Sequence, residues 1–135
     1  MNTDKDAIDR LIKQFFEIFA NKDGGEKDWT TIYRLCIPET LIIKKEGLEQ
    51  VVYNVKAFID PRMILLTNGS ITGFEEHETE EATVINRNIA QRFCRYRKTG
   101  FKNGQYFDAS GTKLFHLVKM AEGWKIGALT WEDDL

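Results

Sequence analysis

"TKLFHLVKMAEGWKIGALTW" (residues 112–131) is the stretch whose pattern decides the fold. Residues 112–120 and the segment "WKIGALTW" read as two strands, with Ala121-Glu122-Gly123 as a tight turn between them. A strand shows its side chains alternately to two faces. Here both faces are apolar: Leu114, Val118 and Met120 alternate with Phe115 and Leu117, and Ile126 and Ala128 alternate with Leu129 and Trp131. Helices can cover one face only. The other, left bare, is the kind of apolar patch that marks an interface, and its expected cover is a second copy of the chain, giving a homodimer through the sheet face.

Working back along the chain, residues 70–80 and 83–99 read as two more strands, joined near Glu81-Ala82. The polar, glycine-rich "KTGFKNGQYFDASG" (98–111) reads as an exposed loop containing the turn Asn103-Gly104. The N-terminal half has a different period. In "TDKDAIDRLIKQFFEIFANKDGG" (3–25), Ile8, Leu11, Ile12, Phe15, Ile18 and Phe19 recur at steps of three and four, one face of a helix. Thr3 or Asp4 can cap its start, and Gly24-Gly25 can stop it. A short helix is expected after Asp28, ended by Pro38, and "TLIIKK" (40–45) reads as a short strand closed by Glu46-Gly47. "NVKAFIDPRMILLTNG" (54–69) is helical again, with Val55, Phe58, Ile59, Met63 and Leu66 on one face. Pro61 either kinks that helix or, with Asp60 as cap, begins a new one. Helices followed by a meander define an α+β fold, with N-terminal helices packed on a strongly curved antiparallel sheet.

Composition narrows the function. The 135 residues make one domain, 1–135, and 42% hydrophobic residues suffice for a core. A net charge of −2 offers no general attraction for nucleic acid. No apolar run reaches the roughly 20 residues of a membrane span. The polar start "MNTDKDAIDR" is no signal peptide, so Cys36 and Cys94 are expected to be reduced thiols in the cytoplasm. Without a Cys/His cluster, no metal and no cofactor are expected.

The charges concentrate in "FEEHETEEATVINRNIAQRFCRYRK" (74–98), where five glutamates precede Arg87, Arg92, Arg95, Arg97 and Lys98. Antiparallel pairing would set acids across from bases, each exposed pair contributing about 0.2–1 kcal/mol. In the basic strand Asn86, Asn88, Ala90, Arg92, Cys94 and Tyr96 share a parity, small and polar enough to line a hollow. Arg92 is therefore expected to point inward and pair with Glu76 or Glu78. The candidate pocket lining is Glu76, Glu78, Arg92, Tyr96 and His116, the last lying amid "LFHLV". His77 belongs to the outer side, and "WEDDL" reads as a solvated acidic tail.

The long first helix, the short second helix, the four-strand meander and the ending "GWKIGALTWEDD" together resemble the nuclear transport factor 2-like superfamily of cone-shaped, cystatin-like α+β domains. "AFIDPRMILLTNG", "GFEEHE" and "NIAQRFCRY" are similar to a bacterial branch of it. The resemblance covers nearly the whole chain. It implies the fold, but no single chemistry, since that superfamily holds ketosteroid isomerases, scytalone dehydratases, polyketide cyclases and non-enzymatic binding domains. Three readings stay open. In the first, the cone holds a partly apolar small molecule between helices and sheet. In the second, it is an isomerase-, dehydratase- or cyclase-type enzyme with a buried Glu or His as general base and Tyr96 or Arg92 as oxyanion donor. In the third, it is an interaction domain with a filled core.

Overall fold

The computed structural model describes residues 3–22 and 27–135. The elements run α1 (Asp4–Glu17), α2 (Thr31–Leu35), β1 (Cys36–Glu46), β2 (Glu49–Tyr53), α3 (Val55–Thr67), β3 (Ile71–Asn86), β4 (Ile89–Lys102), β5 (Gln105–Met120) and β6 (Gly123–Asp133). One six-stranded curved sheet has the order β2-β1-β6-β5-β4-β3, antiparallel except where β1 lies parallel to β6. All three helices pack on its inner face.

α1 starts as its sequence suggests. The Thr3 hydroxyl accepts from the Asp6 N–H (3.0 Å), and the Asp6 carboxylate accepts from the Thr3 N–H (3.3 Å), a reciprocal cap. The helix ends at Ile18, earlier than expected; the proposed stop at Gly24-Gly25 lies outside the described residues. Ile8, Leu11, Ile12, Phe15, Ile18 and Phe19 are all buried, and Phe16 joins them. Each such side chain contributes about 1.5–3 kcal/mol when fully buried. α3 runs unbroken through Pro61: its cap is Asn54, whose side chain accepts from the Ala57 N–H, while Asp60 pairs with Lys56 one turn back.

Several expected boundaries move. Pro38 lies inside β1, at the irregularity between Cys36 and Leu41 where the ladder to β6 is already interrupted; a strand tolerates proline there. β2 is an additional edge strand, paired back on β1 around Glu46-Gly47. The β3–β4 turn sits at Arg87-Asn88, not Glu81-Ala82, because Glu80 and Glu81 continue the ladder opposite Arg95 and Cys94. Residues 98–111 form no loop. They complete a hairpin around Asn103-Gly104, whose φ angles of 51° and 82° suit the tight two-residue turn.

Bulges set which residues face inward. In β6, Gly127 is the extra residue between the His116–Ala128 and Leu117–Ile126 pairs. It shifts the alternation, so Trp124, Ile126, Leu129 and Trp131 are all buried. The apparent two-faced apolarity of β6 is therefore one inward face read across a bulge. In β3, Thr79 plays the same part, so the inward set passes from Glu76 and Glu78 to Glu81 and Thr83. A further irregularity at Gly73, which adopts φ 58°, is held by Asn21. Asn21 receives the Phe74 N–H (2.7 Å) and donates its amide to the Leu66 and Ile71 carbonyls (3.1 and 2.8 Å), tying α3 to β3.

Candidate functional site

Among the described residues, two hollows between the helices and the inner face matter for the site. The first encloses about 420 Å³ and is walled by α1, α3 and strands β1 and β3–β6. Its apolar side is aromatic. Phe15 stacks with Phe58 (6.4 Å between ring centroids), Phe58 meets Trp131 edge-on (5.6 Å), and Trp131 stacks on Tyr53 (6.3 Å). Arg62 projects from α3 over these rings, its guanidinium carbon 4.1 Å from the Phe58 centroid, 5.3 Å from Tyr53 and 5.4 Å from Trp131. One Nη1 N–H goes to the Phe58 carbonyl (2.9 Å). Burial, partly offset by the Tyr53 hydroxyl and the Glu76 charge, pulls the Arg62 pKa below its ordinary value. Among the described residues Arg62 has no ion-pair partner: the two carboxylates of this wall are engaged by Lys113 and Lys98.

Those two pairs form the polar floor. Lys113 comes from the inward parity of β5, beside Phe115 and Leu117, and its ammonium lies 3.0 Å from Glu76 Oε2. Both side chains are more than nine-tenths buried, at 7% and 8% exposed. The approach misses the direction of a hydrogen bond, so Glu76 Oε2 is buried without a hydrogen-bond partner. The Lys113 ammonium also sits over the Tyr96 ring (4.1 Å). The Tyr96 hydroxyl donates to Asp133 Oδ1, and Lys98 holds Oδ2 at 2.9 Å. Burial and the neighbouring carboxylates, Asp133 foremost, push the Tyr96 pKa up. Burial opposes the charge on Asp133, but Tyr96 and Lys98 outweigh it and hold its carboxyl below the usual range. Gly111 crosses directly over this group, and a Cβ there would overlap the Tyr96 hydroxyl and the Glu132 carbonyl.

The second hollow, about 510 Å³, lies between α1 and β3 and shares Glu76 with the first. Arg92, 3% exposed, forms its base. It grips Glu78 in a fork, Nε to Oε2 at 2.9 Å and Nη2 to Oε1 at 2.5 Å. Nη1 donates to Asp9 (2.6 Å) and Thr83 (3.2 Å). Lys5 bridges Asp9 and Glu81 at 2.8 Å each. Burial works against the Arg92 charge, but Glu78 and Asp9 prevail and raise its pKa.

The structure thus separates the five residues singled out from sequence. Glu76 lines both hollows; Glu78 and Arg92 belong to the second; Tyr96 lies beneath the first. His116 lines neither. It is exposed on the outer face, because Phe115 and Leu117 take the inward positions of β5. Arg62, Lys98, Lys113 and Asp133 were not anticipated. The tail is no solvated appendage: Asp133 ends β6 and Asp134 pairs with Arg95. A usable signal existed for Arg62, the one cation within "FIDPRMILL", and for Lys113, which shares a parity with Phe115 and Leu117. Among the described residues, no three His, Cys, Asp or Glu side chains converge to hold a metal ion, and no helix is long and apolar enough to cross a membrane.

No protein-family model and no curated protein matches the chain. Solved structures do. A conserved protein from Planctomyces limnophilus superposes with a TM-score of 0.81 at 13% identity, over 97% of this chain and 96% of that one. A nuclear transport factor 2-like superfamily protein from Salmonella enterica gives 0.73 at 17% identity, over 95% and 89%. A candidate Ca/calmodulin-dependent kinase II association domain from Exiguobacterium sibiricum gives 0.76 at 8% identity, over 100% and 96%. The chain has the nuclear transport factor 2-like fold, and at these identities the likeness extends to the fold alone.

Proposed function

We propose that this chain, as one domain, binds a small, partly apolar molecule in the cavity between α1, α3 and the sheet. The observation that carries the reading is the wall itself: an unfilled space of about 420 Å³ with aromatic rings on one side and an unpaired arginine among them. That size and mixture suit small-ligand sites, and the empty volume argues against an interaction domain with a filled core. Native mass spectrometry of protein purified from its own host tests it, through a retained adduct lost from Phe58→Trp, a change that fills the space. An adduct retained equally by that variant would count against the cavity.

A second reading has one specific observation in its favour. Glu76 is a carboxylate lining the cavity, its side chain more than nine-tenths buried, and the Lys113 and Arg62 cations line the same wall, where an oxyanion is stabilised. A proton-transfer enzyme would use Glu76 as base, with Tyr96 excluded as donor because its hydroxyl is committed to Asp133. Deuterium wash-in at the α-carbon of 2-tetralone, abolished by Glu76→Gln, would support it; no wash-in above buffer would remove it.

The outer face supports self-association. Val84, Ile89, Phe93 and Leu114 are exposed there, with Phe93 and Leu114 paired in register. Trp131, buried at the cavity, is not part of this face. Sedimentation should give twice the chain mass, reduced to one by Phe93→Glu; a monomeric wild type would end the idea. A cytoplasmic setting fits Cys36 and Cys94, both free and buried, their thiols pushed up to about 12 chiefly by burial. Both should label after denaturation without reduction.

A further inference from the structure

We propose that the cavity is specific for a small aromatic monocarboxylate, its carboxylate on Arg62 and its ring against Phe15, Phe58 and Trp131. This rests on the binding reading above and names its ligand class.

The charge balance points to an anion. Five cations line the cavity, Lys44, Arg62, Lys98, Lys102 and Lys113, against two carboxylates, Glu76 and Asp133, in a chain whose net charge is −2. Lys98 and Lys113 hold those two carboxylates. Lys44 pairs outward with Glu46 (3.4 Å), and Lys102 is exposed, where water satisfies it. Arg62 is the cation left partly buried over apolar rings without an ion-pair contact among the described residues, the charge of Glu76 reaching it only from a distance. Removing a guanidinium from water without supplying an anion is unfavourable, and α3 holds it there through the Phe58 carbonyl. One uncompensated charge calls for one negative charge, and a guanidinium fork matches a planar carboxylate.

The other walls supply the rest. Phe15, Phe58 and Trp131 present ring faces and edges to a flat body. Glu76 Oε2 is fully buried against the Lys113 ammonium at 3.0 Å, so the acid of the ligand is left to Arg62. A flat ring carrying one acid meets the aromatic wall and the unpaired Arg62 at once. At about 420 Å³ the space is near the small end for ligand sites.

The test uses 3-hydroxybenzoate, its neutral isostere 3-hydroxybenzamide, benzoate and phenyl phosphate, each titrated into the isotope-labelled full chain. Affinity is read from the Trp131 indole resonance, assigned with Trp131→Phe. The expected result is 3-hydroxybenzoate at least about ten-fold tighter than the amide, as loss of a charge-assisted fork implies, with benzoate bound like 3-hydroxybenzoate because the acid and the ring carry the recognition. In Arg62→Gln the preference for the acid over the amide should vanish; Arg62→Lys should keep part of it. Spectral dispersion confirms that each variant is folded. Equal binding of acid and amide overturns the inference and leaves the binding reading standing. So does a preference that survives Arg62→Gln, or tighter binding of phenyl phosphate, which assigns a different anion. If no probe perturbs Trp131, the binding reading falls together with the inference.

Discussion

Two arginines lie in adjoining hollows beneath the same helices, and their surroundings treat them in opposite ways. Arg92 is almost wholly buried and fully answered: a forked Glu78, Asp9 and the Thr83 hydroxyl use its donors, with Glu81 at 3.7 Å. Arg62 is less buried and unanswered, resting on aromatic faces with a single hydrogen bond to its own helix. A charge enclosed with its partners is part of how the chain folds. A charge enclosed without them is held ready by the fold for something else. The same residue type thus gives a structural site on one side of Glu76 and a candidate binding site on the other, according to whether partners meet its charge.

The largest expected effect lies on the structural side. Arg92→Ala strands the largely buried Glu78, while Asp9 keeps Lys5, and should cost about 3–5 kcal/mol in a urea melt. A loss below about 1 kcal/mol would mean the cluster is solvated and the contrast is false. Next comes Gly111→Ala, at about 3 kcal/mol, because the added methyl collides with Tyr96 and with backbone that cannot yield. Unchanged stability there would place Tyr96 away from Gly111 and remove the floor of the cavity.

Acid should weaken the fold by a route that can be signed. Asp9, Glu81 and Asp133 all have folded-state pKa values below their unfolded ones: for Asp9 and Asp133 the cations and hydroxyls around them outweigh burial, and for Glu81 the hydrogen bonds from Lys5 and Thr83 dominate. A depressed carboxyl stabilises fully above its unfolded pKa and loses that contribution as pH falls through the folded one. Stability should hold down to about pH 5 and then drop through pH 4 and below. Arg92→Ala should flatten that drop; an undiminished acid transition would show that the cluster is not its source.

The smallest effect belongs to the hairpin's outer charges. Arg97 is half exposed and paired with Asp108 at 2.7 Å, so Arg97→Ala should change stability by about 1 kcal/mol or less. A loss matching that of Arg92→Ala would erase the distinction between inward and outward bases.

Much of this frame is visible in the sequence. The three- and four-residue steps from Ile8 to Phe19 locate α1, Asn103-Gly104 marks its hairpin, and the parity of Arg92 with Cys94 and Tyr96 gives the inward face of β4. The site is less legible because single extra residues decide it. Thr79 and Gly127 shift the alternation of β3 and β6; a glycine inside a strand is a readable sign of a bulge at Gly127, whereas nothing in the local composition marks Thr79. His116 looks like a core residue among apolar neighbours yet faces outward, since an alternating strand exposes every second position whatever its flanks. Arg62 and Asp133 are drawn in by packing against rings and by a tyrosine 37 residues away, contacts that only the folded chain brings together.

The contrast is tested most directly by one pair of urea melts, Arg62→Ala and Arg92→Ala, against the wild type without added ligand. Arg62→Ala removes a charge that has no counter-ion, at the loss of a cation–π contact of about 0.5–2 kcal/mol and with the relief of desolvation. Its stability should therefore stay within about 1 kcal/mol of the wild type, while Arg92→Ala falls by about 3–5 kcal/mol. Equal losses in the two variants would contradict the division, showing that Arg62 is as much a part of the fold as Arg92 and is not held open for a ligand.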